Sequence, residues 1–86
     1  MSVLKGIILF PTPDQIKNYI EAGVPCTHLV VEGDGQHFQA TIVSSAFAGK
    51  RLIQRHQLVY AALGDRMREE IHALSMKTLT PEEFAA

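Results

Sequence analysis

Eighty-six residues, 47% of them apolar and 20% charged, suffice for one small domain and leave no room for a second core. Eight basic and nine acidic side chains give a net charge of −1, which excludes a global electrostatic pull toward nucleic acid or anionic membrane. The single cysteine, Cys26, excludes an internal disulfide framework and any CxxC motif, and favours a reducing, cytoplasmic setting.

Residues 1–11 read as an N-terminal extension, because the apolar run Ile7–Phe10 is too short for a signal-peptide core or a bilayer span. Residues 12–86 then form the domain. "TPDQIKNYIEAG" predicts a helix with Thr12 as N-cap, Pro13 in the first position and Gln15 closing a capping box. Ile16, Tyr19 and Ile20 form its apolar stripe, and Gly23 stops it. "THLVVEGDGQHFQATIV" predicts a hairpin, since Leu29 and Val31, then Phe38, Ala40 and Ile42, alternate with polar neighbours. The Gly33-Asp34-Gly35 triplet supplies the positive φ of the turn, and without a third glycine or a lysine it is not a phosphate cradle.

"SSAFAGK" predicts a short helical turn or loop ending at Gly49. From Arg51 to about Arg68, the spacing of Leu52, His56, Val59, Leu63 and Met67 predicts the longest helix, with Gly64 weakening or bending its second half. "HALSMKTL" predicts a third strand, and "TPEEF" a final turn capped by Thr80. The resulting order, α-β-β-α-α-β, is a two-layer α+β sandwich with a three-stranded mixed sheet.

Topology bears on the histidines. A strand–helix–strand crossover returns parallel to the strand it left, so the second and third strands begin at one end of the sheet. That puts His37 and His72 at one rim, beside the glycine turn. Two imidazoles there read either as solvated rim residues or as ligands of an open metal or iron–sulfur site completed from elsewhere. His56, on the apolar stripe, reads as a packed histidine with a local hydrogen bond, His28 as an exposed strand residue, and Cys26 as a small buried hydrophobe.

No catalytic constellation stands out. Ser44 or Ser45 with a histidine lacks a nucleophile elbow, and Glu69, Glu70, Glu82 and Glu83 sit at helix ends as solvated charge, so the chain is not read as an enzyme. Lys50, Arg51 and Arg55 form the one local basic cluster, either a solvated helix face or a phosphate-contacting one.

"FAGKRLIQRHQLVYAAL" followed by "IHALSMKTLTPEEF" resembles the BolA family, and "VEGDGQHFQATIVSSAF" is most similar to its bacterial IbaG-type branch. The resemblance runs from about Thr12 to Phe84. It implies a fold related to the type II KH domain and a partnership with monothiol glutaredoxins in iron–sulfur trafficking or iron sensing. It further implies that His72 is a ligand of a [2Fe-2S] cluster shared with the glutaredoxin and glutathione, none being held firmly by this chain alone. Relatives often carry a second His or Cys within the first turn, where this chain has Asp34; imidazole suits iron better than carboxylate, which makes His37 the expected second ligand ahead of Asp34. The alternative the family suggests is a nucleic-acid-binding transcriptional regulator, linked to the stress response, that uses Lys50, Arg51 and Arg55. A G-x-x-G backbone clamp is missing from "FAGKRL". Without its partner the protein is expected to be a monomer or weak homodimer, off the membrane.

Overall fold

In the computed structural model, which describes residues 11–66, 71 and 73–86, Thr12 caps the first helix in both directions. Its hydroxyl accepts from the Gln15 N–H (3.2 Å), while its own N–H donates to Gln15 Oε1 (2.9 Å). Helix α1 spans Pro13–Gly23, followed by strands β1 (His28–Gly33) and β2 (His37–Val43) and a 3₁₀ turn at Ser45–Phe47. Helix α2 (Leu52–Leu63), strand β3 (Ala73–Leu79) and a final helical turn, α3 (Pro81–Ala85), complete the described chain. This is the expected α+β sandwich with a three-stranded mixed sheet.

Strand β2 is central, antiparallel to β1 and parallel to β3. Period-two alternation sends Leu29, Phe38, Ala40, Ile42 and Thr78 toward the helices, all of them buried. They meet Ile16 and Ile20 of α1 and Val59 and Leu63 of α2, each fully buried. The two helices run antiparallel. Near one end Gly23 abuts Ala62, and one turn away the Arg66 guanidinium lies 3.9 Å from the Tyr19 ring centroid.

Three sequence expectations need correction. Gly64 ends α2 rather than bending it: with φ +61° it adopts a conformation a side chain would strain, and its N–H closes the helix on the Tyr60 carbonyl. Met67 and Arg68, placed on that helix by periodicity, lie outside the described residues. Leu52, assigned to the apolar stripe, is 62% exposed. The reason is length: α1 stops at Gly23 against Ala62, near the far end of α2, and cannot reach over the first turns of α2.

The third concerns layering. Not every helix lies on one face, because α3 sits at the end of the sheet. Its Phe84 ring stacks on His28 at 4.7 Å, and His28 points away from the helical layer by alternation from buried Leu29. Val43, register partner of His28 on that outer row, is fully buried, whereas Val30, farther along β1, is 40% exposed.

The Gly23–Ala62 approach yields a testable expectation. A Cβ on Gly23 would stand 2.6 Å from the Ala62 Cβ and 3.0 Å from its Cα, so the helices must separate. Gly23→Ala should destabilise the fold by about 1–3 kcal/mol despite the better helix propensity of alanine, measured as a lower urea midpoint with unchanged m-value.

Candidate functional site

Chemistry-bearing residues gather at the two ends of the sheet. At the hairpin end, Asp34 organises the turn. Its Oδ1 accepts the N–H groups of Gln36 and His37, both at 2.9 Å, while its own N–H donates to the His37 carbonyl. The N–H groups of His37 and then Gln36 hold the Asp34 carboxyl below its usual pKa. Gly35 (φ 102°) provides the positive φ of this turn; Gly33 does not, and serves instead by close approach, since a Cβ there would stand 2.5 Å from the His37 carbonyl oxygen.

His37 follows as the first residue of β2, with its side chain exposed. In the parallel ladder it is the register partner of Ala73. The crossover rule is therefore borne out for the strands themselves: β2 and β3 start at one rim. His72, bonded to Ala73 in sequence, lies outside the described residues. Cys26 is remote from this rim, at the opposite end of β1. Its thiol is half-buried and donates to the Val24 carbonyl (3.2 Å); burial, and then Glu21, push its pKa up, away from reactive thiolate. Among the described residues no three His, Cys, Asp or Glu side chains come together.

At the other end, Arg55 departs from its reading as a surface cation. Its Nε donates to the Lys50 carbonyl (3.0 Å), and Nη1 donates to the Thr78 carbonyl (3.1 Å) and Glu83 Oε1 (2.7 Å). Nη2 reaches Glu83 Oε2 at 3.2 Å, giving a bidentate pair, and the guanidinium lies 6.0 Å from the buried Phe47 ring. One side chain, 12% exposed, thus joins the 3₁₀ turn, α2, β3 and α3. Glu83 also accepts the Thr80 N–H in the capping box of α3. Lys50 and Arg51 remain exposed; the Arg51 N–H donates to Gln54 Oε1, a cap that leaves its guanidinium unused among the described residues.

His56 is half-buried, and its ring meets Tyr60 edge-on at 6.5 Å. Its buried Nε2 makes no hydrogen bond to the described residues, so the local bond expected there is not found at that atom. Sequence reasoning also missed an exposed apolar pair, Leu52 and Ile53 (62% and 65% exposed), next to Lys50 and Arg51. The available signal was two consecutive apolar residues directly after two basic ones at a helix start. No described helix is long and apolar enough to cross a membrane.

The clamp makes stability depend on pH in a defined direction. The Arg55 hydrogen bonds hold the Glu83 pKa at about 2, below its ordinary value of 4.5. A depressed folded-state pKa contributes stability that is fully present above 4.5 and is lost as pH falls toward 2. Thermal midpoints should therefore decline over that window, and Glu83→Gln should flatten the decline. Arg55→Ala should lower the midpoint at pH 7 more than Arg51→Ala does.

A family model described as BolA-like protein matches residues 19–83. The DNA-binding transcriptional regulator BolA of Vibrio cholerae is 44% identical over 57 residues, covering 66% of this chain and 54% of that protein. SufE-like protein 1 of Arabidopsis thaliana is 46% identical over 65% of this chain but only 16% of its own length. The chain thus spans about half of the bacterial relative and a small part of the plant one. Among solved structures, a BolA homologue from Coxiella burnetii superposes with a TM-score of 0.81 at 44% identity, covering 90% of this chain and all of that one. The BolA domain of SufE1 from Arabidopsis thaliana gives 0.75 at 35% identity, covering 83% and 93%.

Proposed function

The chain belongs to the BolA-like family, and on that premise we propose that it is a non-enzymatic adaptor that pairs with a monothiol glutaredoxin and shares a [2Fe-2S] cluster with it. The observation that carries this reading is the β2–β3 register. His37 is partnered with Ala73, the residue directly after His72, and its imidazole is open to solvent. Imidazole is a competent iron ligand, whereas the Asp34 carboxylate spends Oδ1 on two backbone N–H groups of the turn, and a carboxylate oxygen suits a cluster iron less well than imidazole does. His72 is the first ligand in this reading and His37 the second. The glutaredoxin cysteine and glutathione supply the thiolates that Cys26, at the other end of the sheet, cannot. The cluster is cargo passed between proteins, and the work of this chain is to offer imidazole at an exposed rim.

The test is a titration with cluster-loaded monothiol glutaredoxin and glutathione, followed by visible circular dichroism. Wild-type protein should change the spectrum. His72→Ala should abolish the change, His37→Ala should weaken it, and Asp34→Asn, which keeps a turn acceptor, should leave it intact. A His72→Ala protein that behaves as wild type would remove the reading.

A second reading is nucleic-acid binding, supported by the bacterial relatives named DNA-binding transcriptional regulators and by the exposed pair Lys50 and Arg51 at the start of α2. Arg55 serves there as scaffold, since its donors are committed to Lys50, Thr78 and Glu83. Binding to duplex DNA should weaken steeply with salt, and Lys50→Glu with Arg51→Glu should eliminate it in a fluorescence titration near physiological salt. Retention of binding by that double variant would contradict this assignment.

A further inference from the structure

We infer that the tip formed by Lys50, Arg51, Leu52 and Ile53 is an apolar wedge for duplex DNA, with the two aliphatic side chains pressed against a base step while the two cations hold the flanking phosphates. The inference rests on the nucleic-acid reading and specifies its mode. Leu52 and Ile53 are neighbours in the first turn of α2 and are the most exposed large apolar residues described. Adjacent positions, about 100° apart round the helix, do not form the i, i+3, i+4 stripe by which a helix packs into a partner's groove; here they spread over two sides of the exposed first turn, directly after the two cations. Between Asp34 and Asp65 the sequence has no carboxylate, so within its own segment the tip is purely basic. Glu83, brought near by the fold, is neutralised by Arg55. The N-terminal dipole of a twelve-residue helix adds to the positive field at the same place.

That combination matches a polyanion with an apolar interior. Aliphatic side chains rule against a single-stranded stacking platform, which uses aromatic faces. Leucine and isoleucine instead belong to the residues that architectural proteins insert between base pairs from the minor groove, kinking the duplex. Flexible pyrimidine–purine steps such as TA are the ones that yield.

The experiment uses the full chain and a duplex of about 20 base pairs with a central TA step, read by anisotropy for affinity and by end-to-end energy transfer for bending. Wild type should bind and shorten the end-to-end distance. Leu52→Ala with Ile53→Ala should lose at least about tenfold in affinity and abolish the shortening. The thermal midpoint should not move, because both side chains are exposed. Lys50→Gln with Arg51→Gln should reduce the slope of log affinity against log salt by about two. If the alanine pair binds and bends DNA as wild type does, the wedge is wrong and the nucleic-acid reading stands. If wild type fails to bind the duplex, or binds vesicles of anionic phosphatidylglycerol instead, both fall.

Discussion

Parallel pairing of β2 with β3 is the constraint on which the molecule depends. The alternation of β2 supplies the core facing both long helices, and its register with β3 decides which residues meet at each end of the sheet. A one-residue slip would turn Phe38, Ala40 and Ile42 to solvent, so burial itself fixes the register. The rim at His37 and the clamp at Arg55 are two ends of that single ladder. Parallel strands need a long connection between them, and the connection is also used: α2 closes the core with Val59 and Leu63 and presents its first turn to solvent.

Arg55 and Glu83 finish the other end. A guanidinium that bonds two backbone carbonyls and one carboxylate is satisfied locally, which lets it sit among Phe47, Thr78 and α3 without an orphaned charge. The short helix α3 could not hold its place by propensity alone, being little more than one turn. Its capping box, the ion pair and the Phe84–His28 stack keep it against the sheet.

Much of this was legible in the chain. Caps with reciprocal partners, alternation in β1 and β2 and the parallel return of the third strand depend on near neighbours or on general topology, and each emerged as read. Asp34 between two glycines was legible as a turn residue for the same reason. Arg55 was not, because its carboxylate partner lies in a helix with no local relation to it. Leu52 was misplaced because periodicity says which side of a helix is apolar, not how far the neighbouring helix extends. Phe84 on His28 joins the first strand to the last helical turn, a contact that a strand pattern alone could not suggest.

The separation of the two ends has a consequence for how they communicate. β3 runs seven residues from Ala73 to Leu79, a distance of about 20 Å, while mobile ions damp surface charge over about 8 Å at physiological strength. A change of charge at the His37 rim is therefore screened before it reaches Lys50 and Arg51. Charged occupants, one at each end, would not repel one another through the field. Any influence of one on the other has to pass as displacement along the strands, through a ladder that is paired along its whole length and yields little.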